Sequence, residues 1–165
     1  MAKKTFNEKL EFSGDLPKVE KLNPRMMERY KAKTMVIAAP VEYDQLMKKV
    51  SKGKVTTIDR MMAYMAKKHG AGCACPMTAG IFVNIAANAN EERAHSKESE
   101  HPEWHRGKSE TPWWRTLKKD GQLNEKFPDG IDGQKKRLEA EGHIVIQKGK
   151  RYFVENYEKK VCVFK

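Results

Sequence analysis

The residues with the most chemistry to offer lie in Thr111-Pro112-Trp113-Trp114-Arg115-Thr116-Leu117. The chain has only three tryptophans, and two of them are adjacent, behind a proline and ahead of an arginine. Each indole needs a pocket or a partner for its large apolar ring. Successive side chains of an extended segment point to opposite faces, so Trp113 and Trp114 cannot both enter one core from a strand; one is free to line a cleft while the other packs. A second group, Cys73 and Cys75 with His101 and His105, supplies four zinc ligands on paper. The single residue between the cysteines falls short of the usual spacing in structural zinc sites, and no metal or other cofactor is expected. Three cysteines, counting Cys162, make a poor disulfide framework and agree with a reducing cytoplasm.

The charge balance narrows the partner. Against 22 Asp and Glu stand 33 Lys and Arg, a net charge of +11, which favours a polyanion and puts nucleic acid ahead of membrane. No uninterrupted apolar run approaches a spanning length, and no apolar signal region follows Met1-Ala2-Lys3-Lys4-Thr5. A monomeric protein of the cytoplasm is expected.

The elements that must position these residues follow from periodicity. Residues 1–33 are basic and polar, with too few regularly spaced apolar residues for a core, and read as an arm preceding a domain over 34–165: a solvated tail first, with docking on the body through Phe6, Leu10 and Phe12 or tracking of a phosphate backbone as the alternatives. Pro40 opens a helix carrying Val41, Leu46, Met47 and Val50. Thr56-Thr57-Ile58-Asp59 has the form of a capping box, followed by the stripe Ile58, Met61, Met62 and Met65 and a stop at Gly70. After a loop over 71–75, Pro76 starts a helix to about Asn90, with Ile81, Phe82, Ile85 and Ala89 inward and Gly80, Asn84, Ala87 and Asn88 outward. Two helices joined in this way make a helix-turn-helix whose second member enters a DNA groove.

Residues 91–110 read as an exposed polar loop or helix extension. Arg115 to Asn124 reads as a hairpin with Asp120-Gly121 at its tip and Lys118 and Lys119 beside it, a basic wing. A helix over 131–141 closed by Gly142, and a second hairpin around Lys148-Gly149, complete the chain. The expected fold is α+β: a mainly helical winged helix-turn-helix with a basic hairpin wing and an added C-terminal β-hairpin.

The run from Lys52-Gly53-Lys54-Val55-Thr56-Thr57, through the helix pair, to Pro112-Trp113-Trp114-Arg115 and Glu141-Gly142-His143 resembles the DNA-binding domain of alkylguanine-DNA alkyltransferases. In particular it resembles the alkyltransferase-like proteins, in which a tryptophan stands where the suicide cysteine would be. The family signature of proline, cysteine, histidine and arginine implies that Trp113 occupies the nucleophile position, Trp114 that of the activating histidine and Arg115 that of the arginine. Glu141 matches the carboxylate that orients the histidine. With neither thiolate nor imidazole at those positions, methyl transfer has no acceptor and no base there. Gly80 falls where the family's recognition helix carries the arginine that fills the gap left by a flipped base, and the family's tyrosine falls near Thr57 or Ile58.

The resemblance implies a non-enzymatic binder of double-stranded DNA that recognises O6-alkylguanine-type lesions in DNA repair, with a repair protein as a further partner. Its expected contact residues are Thr56, Thr57, Thr78, Gly80, Asn84, Asn88, Arg115, Lys118 and Lys119. Glycine at 80 leaves open a winged-helix binder or regulator without lesion specificity, because flipping costs a few kcal/mol that a glycine has no side chain to offset.

Overall fold

The computed structural model describes residues 4–97, 99–102 and 110–164. Trp104 and His105 lie outside the described residues, and with them the four-ligand zinc site considered above.

The first surprise is at the N-terminus, where helix α1 (Phe6–Glu11), strand β1 (Lys18–Lys21) and helix α2 (Pro24–Tyr30) form. The expectation of a solvated arm is therefore corrected. Thr5 caps α1 by accepting the Glu8 N–H, and Asn23 caps α2 by accepting that of Met26. Strand β1 pairs antiparallel with β2 (Thr34–Ile37), across the expected boundary at residue 33. Leu10 and Leu22, isolated in the sequence and without helical periodicity, are both buried.

Helix α3 (Pro40–Lys48) starts with proline at its first position, and the Glu42 carboxylate accepts the Ala39 N–H at 2.8 Å. Strand β3 (Thr56–Thr57) precedes helix α4 (Ile58–Lys68), and here a second expectation fails. Thr57 makes no side-chain cap; both threonines enter a short parallel ladder instead. The methionine stripe holds, with Met61 and Met65 fully buried, each worth about 1.5–3 kcal/mol of burial. The loop expected after α4 contains strand β4 (Cys73–Ala74), which joins β2 in parallel to complete a three-stranded sheet in the order β1-β2-β4. Gly72 permits this approach, because a Cβ there would lie 2.8 Å from that of Ala32.

Helix α5 (Pro76–His95) is the central element, packed by α1, α3 and α4. Its buried face is Ala79, Val83, Ala86, Ala87, Ala89 and Asn90, so the expected orientation is corrected: Ile81 is exposed and Ala87 is in the core. The helix has apolar residues on several sides and small ones where its neighbours come closest, so no single stripe decides its rotation.

Residues 115–124 do not form a hairpin. A 3₁₀ turn (Trp113–Arg115) leads into β5 (Thr116–Leu117), which pairs in parallel with β3, and a tight turn follows over Lys119–Gly121. Asp120 and Gly121 both take positive φ, as their types require, but Gln122 bridges to Phe153 rather than back to residue 117. The chain closes with helix α6 (Gly130–Ala140) and the hairpin of β6 (Val145–Lys148) and β7 (Arg151–Val154), antiparallel as expected. The fold is α+β. No helix among the described residues is long and apolar enough to cross a membrane.

Candidate nucleic-acid interface

Pro112 turns the chain so that the two indoles sit edge to face, 5.7 Å between ring centroids at 84°. Trp113 is fully buried against Phe127, and its indole N–H donates to Glu91 Oε1 at 2.9 Å. Burial alone would raise the Glu91 carboxyl, but hydrogen bonds from Arg137 and Trp113, with the Arg137 charge, hold it below the usual carboxylate range. The guanidinium of Arg137 stands 4.7 Å from the Trp113 ring and 5.3 Å from that of Trp114, a cation shared by two rings. Trp113 is thus locked by packing, a hydrogen bond and a cation.

Glu141 is paired with Arg115. Arg115 Nη2 donates to Oε2 at 2.6 Å and Nε to Oε1 at 2.9 Å, a two-point fork, while Nη1 donates to the Val50 carbonyl at 2.7 Å. Burial pushes the Glu141 carboxyl up, but the Arg115 hydrogen bonds and charge outweigh it, leaving it below its ordinary value. Trp114 Nε1 is buried without a hydrogen-bond partner among the described residues. His143 is 4% exposed, with both ring nitrogens lacking a hydrogen-bond partner among the described residues. Burial first, then Lys160, lowers its pKa and keeps the imidazole neutral.

None of these residues is among the described lining of the concave surface. A cleft of about 660 Å³ opens between α1, the start of α4, the outer face of α5 and the segment 118–126. Its floor is apolar, from Ile58, Met77, Ile81 and Ile85; Asn84 adds an amide and Gly80 an open space, with nothing within 4 Å of where a Cβ would stand. Lys9, Lys118 and Lys126 bring positive charge to it, with Glu125 paired to Lys118 at 3.4 Å. Volume, mixed lining and charge suit an aromatic group that carries anionic substituents.

The structure brings together only part of the expected contact set. Gly80, Asn84 and Lys118 line the cleft, and Lys119 is exposed beside it. Thr56 and Thr57 are 0% and 2% exposed within the β3–β5 pair, so neither hydroxyl can reach a duplex. Arg115 is committed to Glu141, its side chain 13% exposed, and is removed from the phosphate contacts. Thr78 donates to the Cys75 carbonyl and Asn88 to Asn84 along the same helix. Phe6, Lys9 and Lys126 were missed: the first two sit on a segment with no helical stripe, and Lys126 is one lysine among many. Among the described residues no cluster of three metal-ligating side chains occurs. Burial and the neighbouring Cys75 raise the Cys73 thiol, which leaves it a poor nucleophile.

No family model matches the chain, and no curated protein matches it. Two solved structures are similar over 75% of this chain and 94% of theirs. One is S. pombe Atl1 in complex with damaged DNA containing O6-carboxymethylguanine, at 18% identity and a TM-score of 0.45. The other is S. pombe ATL in complex with DNA, at 20% identity and a TM-score of 0.43. A likeness this loose assigns no function by itself.

Proposed function

We propose that this chain is a non-enzymatic DNA-binding protein that takes an O6-alkylguanine-type base in the α1–α5 cleft and marks it for other repair proteins. The observation that carries the reading is the cleft itself, where an apolar floor, an amide and three lysines converge on a chain of net charge +11. Helices α4 and α5 act as the helix-turn-helix, and the β6–β7 hairpin, with Lys148, Lys150 and Arg151 near its tip, takes the place of the wing. Phosphate contacts need only cations and amides, so they supply affinity without lesion information. Transfer chemistry is absent from the reading because Trp113 and Trp114 offer neither thiolate nor imidazole.

The competing reading is a DNA binder without lesion specificity, favoured by the open space at Gly80. Fluorescence anisotropy with O6-methylguanine and unmodified duplexes separates the two. Tighter binding to the modified duplex, with no labelled methyl group transferred to protein, is the expected result; equal, salt-sensitive affinities support the competing reading, and methyl transfer overturns the non-enzymatic one. Replacing Lys118 and Lys126 together by alanine is expected to flatten the log–log salt dependence by about one to two units for either duplex.

A further inference from the structure

We infer that the N-terminal helix α1 supplies the stacking platform of the cleft, with Phe6 receiving a nucleobase displaced from a duplex. This rests on the reading of the chain as a DNA binder and extends it to a residue outside the region of family resemblance.

Phe6 is the aromatic side chain among the described residues of the cleft lining. Its position is fixed by hydrogen bonds that run through α1 into α5. The Phe6 and Asn7 N–H groups donate to the Glu92 carboxylate at 3.1 and 3.0 Å. The Asn7 side chain, 1% exposed, donates to the Ala89 carbonyl at 3.0 Å and accepts from Arg93 Nη1 at 2.8 Å. Arg93 continues to Thr111, whose hydroxyl donates to Asp44 at 2.6 Å. An aromatic ring held on so short a helix by buried polar contacts on α5 is preorganised, which lowers the entropic cost of using it.

The cleft calls for such a platform because α5 has no side chain at Gly80 to fill the gap in a duplex. Stabilisation of an unstacked base then has to come from the cleft walls, and aromatic stacking is the strongest interaction they offer that tolerates any base. Lys9 Nζ now stands 5.0 Å from the Phe6 ring centroid. Its flexible stem lets the ammonium swing to a flanking phosphate when a base takes the ring face.

The test uses the full chain and two duplexes, one fully paired and one with a single unpaired adenine, which needs no lesion chemistry. Phe6→Leu keeps an apolar side chain and removes the π face; Phe6→Met is the second variant should leucine disturb folding, and Phe6→Tyr restores the ring. Affinity of the leucine or methionine variant for the unpaired-base duplex is expected to fall about 5- to 150-fold. Affinity for the paired duplex should stay within about twofold, and tyrosine should retain the preference. Equal weakening on both duplexes, or no change on either, overturns the platform. Failure of the unaltered chain to bind either duplex at low salt overturns the DNA-binding reading itself, and the platform with it.

Discussion

Removing Arg115 tests whether the tryptophan cluster depends on the Arg115–Glu141 ion pair. In Arg115→Met the stem is kept and the fork is lost, leaving Glu141, with its side chain 8% exposed, without a cationic partner and the Val50 carbonyl without its donor. Stranding one member of a buried pair costs about 3–5 kcal/mol, and residual solvent access at both side chains lowers that to about 2–4 kcal/mol. The sign with pH is fixed by the folded carboxyl lying below its ordinary 4.5: the pair's contribution is complete above that value and is lost as pH falls through the lower folded pKa. Urea denaturation should therefore show the full deficit at neutral pH and a much smaller one once the carboxyl is protonated. The double change Arg115→Met, Glu141→Leu removes both charges and should recover part of the loss. A deficit under about 0.5 kcal/mol at neutral pH, or one independent of pH, would refute the assignment of a buried, coupled pair.

Other expectations follow from buried groups. The folded pKa of His143 lies below the ordinary 6.5, so its contribution is intact above 6.5 and is lost as pH falls below it, where the unfolded chain takes up the proton first. A series of denaturation curves should show that slope disappear in His143→Leu, whereas the losses tied to Glu42 and Glu91 begin only below about 4.5 and should persist. Asn7→Ala strips an acceptor from Arg93, itself 6% exposed, and should cost about 2–3 kcal/mol by thermal or urea unfolding. Gly121→Ala places a Cβ 2.4 Å from the Tyr157 ring at a φ of +81°, and a loss of at least about 2 kcal/mol is expected; a stability unchanged within error would show that the turn is not held there.

Much of the secondary structure was legible from local pattern. The methionine stripe, the prolines at the starts of α3 and α5, the glycines at 70 and 142 and the Asp120-Gly121 turn are short-range signals, and each specifies backbone geometry within a few residues of itself. Of the candidate site, the tryptophan pair, Gly80, Asn84 and the lysine at 118 stood out by type, and the net charge pointed to a polyanion. What local pattern could not carry was long-range pairing. The Thr56-Thr57 sequence is equally suited to a helix cap and to a strand, and only the arrival of Thr116 and Leu117, some sixty residues later, decides for the strand. Helix α5 is apolar on several sides, so its rotation was settled by which neighbours came closest, and that turned Ile81 toward the cleft and Ala87 away. The pairing of Glu141 with Arg115 required α6 to fold back over the 3₁₀ turn. Residues 1–33 looked like a tail because a six-residue helix with few apolar side chains has no stability of its own. Its order comes from Asn7, Glu92 and Arg93, polar contacts some 85 residues apart that only the tertiary fold brings together.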